Sequence, residues 1–478
     1  MEQALNAAVS AINGFLWDYI IIALLILSGF WFTYKTKFVQ LRQIPEMLRL
    51  MKEGIGTSTE GNHISSFQAF CVSTASRVGV GNIAGVTIAI VLGGPGAVFW
   101  MWFIALLGSA TGFIESTLAQ IYKQPLVGGG YHGGPAYYMR HGLKSPLMAT
   151  IFAVLISVTY GLIYNSVQAN TIAASLNTYG MTTQVTGLIV AALTALVIFG
   201  GMSRIAKVSE VLVPIMAGLY ILTAIVVIIM NFDKFFGVIG LIFSSVFDPT
   251  AAGGGFMGAA MMNGIKRGLF SNEAGEGSVP NAAATAVATH PVKQGLIQAF
   301  GVFVDTMLVC TASAFIILLS GHYDEGKLTG IALMQHDLGY VLGSWAPIAL
   351  TIFVFMFAFS SIVGNYYYGE INIPMISKNK MHLNLFRILV IVMVYVGSVA
   401  SLDFVWNLAD LFMALMILSN HTAIVRLGDI SIIALKDYIA QKKAGIMEPE
   451  FDDSILPVKD GVVCWKAEDK EARRQGLL

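Results

Sequence analysis

Ser76-Arg77-Val78-Gly79-Val80-Gly81-Asn82-Ile83-Ala84-Gly85 and Gly268-Leu269-Phe270-Ser271-Asn272-Glu273-Ala274-Gly275-Glu276-Gly277-Ser278 are two interruptions in otherwise apolar stretches of this chain. Each sets a Gly-x-Gly beside small polar residues, and glycine inside a helix costs about 1 kcal/mol against alanine. A helix whose only task is to span a bilayer avoids that cost. An unwound segment at membrane depth frees backbone N–H and C=O groups, which hydrocarbon leaves unsatisfied, so it survives only where protein or a wet cavity covers it. Half-helix N-termini then offer donors to a carboxylate, and unwound carbonyls and hydroxyls suit a dehydrated cation.

The surrounding chain is consistent with that setting. Of its 478 residues, 56% are hydrophobic and only 12% charged, and the mean hydropathy is +0.72, which describes a membrane protein rather than a water-soluble domain. Twenty-eight cations balance 28 anions, so charge gives no reason to expect a nucleic-acid partner. Cys71, Cys310 and Cys464 are odd in number and widely spaced, which argues against a disulfide framework. The eight histidines show no metal-ligand spacing, and those at 132, 141, 290 and 322 read as surface loop residues. No metal other than sodium and no cofactor is expected. The first residues carry Glu2 and no basic stretch before the apolar run, unlike a cleaved signal peptide.

Eleven stretches have the length and composition of an all-α polytopic protein's spans: 16–34, 66–92, 97–121, 148–177, 185–200, 208–230, 255–288, 295–320, 344–368, 384–401 and 404–425. Alternate connections carry Lys35, Lys37, Arg42, Arg49 and Lys52, then Lys123, Arg140 and Lys144, then Arg204 and Lys207, then Lys293, then Lys378 and Lys380. The opposite connections are poorer in cations, with Asp233, Lys234 and Asp248 in one and Asp324, Glu325 and Lys327 in another. This bias places the N-terminus outside, the C-terminus in the cytoplasm and the protein in the cell membrane. The two interruptions lie five spans apart, as in a five-plus-five repeat. Residues 1–35 then form an extra N-terminal helix, 36–230 a first five-helix repeat, 231–425 an inverted second one, and 426–478 a polar cytoplasmic tail.

Gly79-Val80-Gly81-Asn82-Ile83-Ala84-Gly85-Val86, Gly93-Gly94-Pro95-Gly96-Ala97-Val98-Phe99-Trp100-Met101-Trp102, Gly133-Gly134-Pro135-Ala136-Tyr137-Tyr138-Met139 and Phe270-Ser271-Asn272-Glu273-Ala274-Gly275-Glu276-Gly277-Ser278 follow one another in the chain. In these motifs the sequence resembles the alanine/glycine:cation symporter family, also called the sodium:alanine symporter or amino-acid carrier family, from the first span to about residue 425. The resemblance implies a leucine-transporter-type fold and sodium- or proton-coupled uptake of a small neutral amino acid. It implies that amides at Gly79, Val80 and Gly81, with those near Gly275 and Gly277, hold the substrate carboxylate. Asn82 and Ser271 are then candidates for a sodium site beside it, and main-chain oxygens of Ala75 and Val78 with the hydroxyls of Ser360 and Ser361 for a second. Gln168 matches a pocket-lining position. Asn365 stands where many relatives carry Trp, which widens the expectation from alanine and glycine to glutamine.

The charges inside spans are functional candidates, since each costs about 3 kcal/mol at mid-membrane. Asp305 is a cation or proton site, or else a partner of Arg77 or of a freed amide. Arg77 neutralises Asp305 or Glu273, or closes a gate. Of Glu273 and Glu276, one serves ion coupling and the other caps helix amides. Glu115 reads as paired to a basic neighbour outside the site. An enzyme would need a nucleophile with an orienting base, and the spans offer no convincing pair. A channel also uses polar breaks, but paired breaks within one chain favour an enclosed site and alternating access. Amino acid, sodium and lipid are therefore the expected partners, and the sequence carries no signal for oligomeric state.

Overall fold

The computed structural model of the protein describes residues 2–54, 63–126, 129–199, 202–247 and 258–466. Asp248, positions 255–257 of the expected seventh span and the tail beyond 466 lie outside the described residues, as do the side chains of Arg204 and Lys207. The chain is mostly helical, and among the described residues eight helices are long and apolar enough to cross a membrane. A ninth crossing comes from Ser66–Arg77 and Gly81–Gly93, which meet at a 51° bend where the first glycine interruption lies.

Two expected spans fall short of that test. The fifth is the 16-residue helix Thr183–Ile198. The seventh is split into Ala259–Asn272 and Val279–Thr285, with residues 273–278 between them. Glu273 there adopts a left-handed conformation (φ +58°), and Gly275 and Gly277 also have positive φ, the region that glycine enters at no steric cost.

The two ends of the chain depart from expectation. The first helical run is Glu2–Lys35, well before residue 16. Its Asn13 Nδ2 donates to Asn407 O at 2.7 Å and its Trp17 indole to Asp410 O at 3.2 Å, which seats the extra helix against the final one. The final helix is Leu402–Lys443, so the first part of the expected tail continues the last span. Beyond it, the chain folds back as a strap. Phe451, Leu456, Val462 and Trp465 are buried, Phe451 N–H donates to Thr289 O, and the Trp465 indole donates to Gln120 O at 2.7 Å. Lys293 bonds Glu448, Lys144 bonds Asp460, and Lys123 lies over the Trp465 ring. Arg49, from the first connection, also bonds Glu448, so three of the cation-bearing connections meet the strap at one end of the bundle.

Wide, π-helical turns interrupt four helices, at Trp17–Ile21, Gly81–Gly85, Thr159–Tyr164 and Val304–Cys310. Such turns insert a residue and are frequent where a helix serves a site. The last three carry Asn82, Tyr160 and Tyr164, and Asp305.

Candidate functional site

The two interruptions touch. A Cβ on Gly81 would lie 2.8 Å from the Phe270 ring and 3.4 Å from Ser271 Cα, so the approach of one break to the other requires glycine there. Two polar links cross the same contact. Ser76 Oγ donates to Glu273 Oε1 at 2.6 Å, and Asp305 accepts from Asn82 Nδ2 and Ser271 Oγ, both at 2.7 Å. Thr306 Oγ1 adds a third bond to Asp305 at 3.0 Å.

At the first break, Val80 N–H donates to Gln168 Oε1 at 3.1 Å, and Gly79 N–H to Asn82 Oδ1 at 2.9 Å. The Asn82 side chain therefore closes the loop and reaches Asp305 at once. Ser361 Oγ donates to Ala75 O at 3.0 Å and Ser76 O at 3.1 Å, so it reads two carbonyls that the unwinding exposes. Asn365, one turn on, has its Oδ1 2.7 Å from Ser76 Oγ. The Val80 amide is thus already taken by Gln168.

At the second break, Glu273 also accepts from Ser278 Oγ at 2.6 Å. Glu276 accepts from the hydroxyls of Tyr160 at 2.7 Å and Tyr164 at 3.1 Å, leaving its other oxygen without a partner. Phe270 packs between Tyr164 and Trp406, with ring centroids 4.7 and 4.8 Å apart. Asp305, Glu273, Glu276 and Glu115 are all buried, and none is ion-paired among the described residues.

A family model described as the sodium:alanine symporter family matches residues 2–453. The chain belongs to the sodium:alanine symporter family. It is 50% identical to the probable sodium/glutamine symporter GlnT of Bacillus subtilis over 98% of both chains. It is 46% identical to the amino-acid carrier protein AlsT of the same organism, over 99% of this chain and 100% of that one. To the sodium/alanine symporter AgcS of Methanococcus maripaludis it is 36% identical, over 90% and 96%. Among solved structures it resembles a nucleobase-cation-symport-1 family transporter at a TM-score of 0.48 and 12% identity, over 86% and 96% of the two chains.

Within this symporter-family chain, the expected site residues divide. Gly79, Val80, Gly81, Asn82, Gln168, Ser271 and Asp305 come together, as do Ala75 and Ser361. Ser360 instead bonds back to Phe357 O at 2.9 Å. The neighbours of Gly275 are Glu115, Thr111 and His421, and those of Gly277 are Pro135, Asn420 and Phe152, rather than the first break. Gly275 N–H already serves Glu115.

Four readings of the charges are corrected. Arg77 pairs with neither Asp305 nor Glu273; its Nη1 donates to Gln298 O at 3.2 Å, because the side chain runs toward the neighbouring helix and not into the break. Asp305 takes side-chain donors, not a freed amide. Glu115 has no basic partner and accepts Gly275 N–H at 3.0 Å and Asn420 Nδ2 at 2.7 Å, so Glu115, and neither Glu273 nor Glu276, receives the amide of the second break. His290 is fully buried, with Nε2 3.1 Å from Asp437 Oδ2. Arg267 pairs with Asp410 at 2.6 Å while lying over the Trp406 ring, and Lys266 is 3.9 Å from the same carboxylate.

The sequence reading gave no role to Ser76, Ser278, Tyr160, Tyr164 or Phe270, and it placed Glu115 outside the site. Ser76 and Ser278 flank the quoted breaks, which was a usable signal. Nothing local marks the tyrosines or Glu115, since their role comes from packing across the chain.

Proposed function

We propose that the protein is a secondary active symporter that imports alanine or glycine with sodium by alternating access. The observation that carries this reading is the contact of the two breaks through Ser76–Glu273 and through the Asn82–Asp305–Ser271 cluster. Asp305, Ser271 and Asn82 form the principal sodium site, with Asp305 the position where a proton would substitute. Ser361 and Ala75 O, with Ser360 and Val78 O after rearrangement, form a second. Gly79, Val80 and Gly81 hold the substrate carboxylate once the Gln168 amide swings off Val80 N–H. Sodium orders the first break and so raises substrate affinity, and the coupling is reciprocal. Chemistry on the substrate and a bound cofactor have no part in it.

The architecture that fits this mechanism is a leucine-transporter-type inverted repeat of ten spans, 36–230 and 231–425, preceded by one extra helix. The N-terminus lies outside and the strap at the cytoplasmic end. Gly275 and Gly277 shape the second break from behind through Glu115. A cavity of about 250 Å³ bordered by Ala84, Asn170, Thr171 and Thr329 lies beside the residues that follow Asn82 and Gln168, and it serves as the outer approach.

Glutamine is the second substrate reading. Asn365 beside Ser76 offers a small amide where a bulky ring would fill the space, and the 50%-identical relative is named a probable glutamine symporter. Uptake of labelled alanine, glycine and glutamine into proteoliposomes, under sodium, potassium or proton gradients, tests both. Saturable concentrative uptake driven by sodium supports the symporter and ranks its substrates; uptake indifferent to sodium rejects it.

A further inference from the structure

At the end of the bundle opposite the strap, three residues far from the two breaks converge on one point. The helical run Pro291–Ser320 begins beside the strap and ends at Ser320, so its far end lies on the other face. His322 follows directly, and the helix Gly330–Leu342 returns His336 and Asp337 to it. His322 Nδ1 and His336 Nδ1 each lie 3.1 Å from Asp337 Oδ1. The ligand atoms of all three lie within 4.8 Å of one another.

The two His–Asp separations are close to those of a metal centre. Four ligands bound at about 2.0–2.1 Å in a tetrahedron sit about 3.3 Å apart, so each His–Asp spacing is already near a tetrahedral edge. Two imidazoles and one carboxylate form a donor set suited to zinc, with a fourth position left for water. The carboxylate is also oriented. Ser320 Oγ donates to Asp337 Oδ2 at 2.6 Å, which holds that oxygen and leaves Oδ1 facing the rings. Partners of this kind fix a ligand's direction and commonly account for much of a site's affinity.

Access and tautomer fit as well. Asp337 is fully buried, whereas the side chains of His322 and His336 are 20% and 47% exposed. Without a metal each Nδ1–H donates to Asp337 Oδ1; a metal takes that place when the proton moves to Nε2, which leaves the Nδ1 lone pair as a ligand. The His322 ring stands nearly perpendicular to those of His336 and Tyr340, at centroid distances of 5.0 and 4.7 Å, which limits its rotation.

We infer that His322, His336 and Asp337 form a binding site for zinc or a similar divalent transition metal, clamping the end of the 291–320 run to the helix 330–342. The inference is independent of the transport reading. Purified full-length protein without a histidine tag is titrated with zinc chloride by calorimetry, and with cobalt(II) in the absorption spectrometer. One zinc per chain and the intense visible bands of tetrahedral cobalt are expected. His336→Gln, at the exposed ring, is expected to weaken zinc by at least tenfold, and Ser320→Ala to weaken it less. Zinc binding that is unchanged in His336→Gln and in His322→Gln, or no stoichiometric binding by the wild type, overturns the assignment.

Discussion

Ser271 and Asp305 sit on different spans, 34 residues apart, yet the Ser271 hydroxyl donates to Asp305 Oδ2 at 2.7 Å, and Asn82 reaches the other oxygen of the same carboxylate. One negative charge thereby gathers a residue from each break. Asp305→Asn keeps the shape and removes the charge. The sodium concentration for half-maximal uptake is expected to rise about tenfold or more, equivalent to about 1.4 kcal/mol. A sodium titration of alanine uptake in proteoliposomes checks this, and an unchanged midpoint removes Asp305 from the ion site.

Gln168→Ala strips the side-chain acceptor from Val80 N–H and opens space beside Gly79. An unsatisfied buried donor costs about 1–3 kcal/mol, so substrate KM is expected to shift by about tenfold or more with little change in the sodium midpoint. Equal shifts in both would assign Gln168 to the ion instead.

Asn365→Trp places a ring against Ser76, where the native amide oxygen is 2.7 Å from the hydroxyl. Glutamine uptake is expected to fall at least tenfold while alanine uptake falls less, read from competition between the two labelled amino acids. Parallel losses would show that this position does not select side-chain size.

Acid should loosen the strap end of the molecule. Burial favours the protonated form of Glu46, but bonds from Arg49 and Tyr438 outweigh it and hold the carboxyl down at about 2. A depressed pKa stabilises the folded state above the ordinary value of about 4.5, and that stability is lost as pH falls toward 2. Glu46→Gln is therefore expected to flatten the pH dependence of the melting temperature between about 4.5 and 2 and to leave it lower at pH 7. A wild-type acid profile in the variant would deny Glu46 that role.

Trp465 is fully buried, with its indole on Gln120 O and Lys123 over its ring. Truncating a buried tryptophan to alanine typically costs about 3–5 kcal/mol. Trp465→Ala is expected to expose residues 444–466 to protease at several times the wild-type rate, while Trp31→Ala, at a half-exposed ring, serves as the control.

Nine of the eleven expected spans and the two breaks were legible because hydropathy and glycine placement are local properties of the chain. The seventh stretch was legible as an interruption, and neither half of it is long enough to cross. The final helix was read as ending near Arg426 because polarity rises there, but its apolar face continues through Ser431, Leu435 and Tyr438, which are buried against the bundle and the strap. Glu115 was read by its depth in its own span; its partner Gly275 is 160 positions away, a contact that periodicity does not encode. The same holds for His322 with His336 and Asp337, whose 14-residue separation matches no ligand motif until a loop folds it shut.

The wide turns at Gly81–Gly85, Thr159–Tyr164 and Val304–Cys310 carry a further consequence for how this protein tolerates change. Each amounts to one surplus residue inside a helix. Deleting it would restore regular hydrogen bonding and preserve the crossing, yet would rotate every later side chain by about 100° around the helix axis. The two ends of such a helix are therefore set in angular phase independently, one for the bilayer and its neighbours and the other for Asn82, Tyr164 or Asp305. In these three helices a length change that leaves hydropathy untouched therefore reaches the polar contacts of Asn82, Tyr164 and Asp305 as well as the packing.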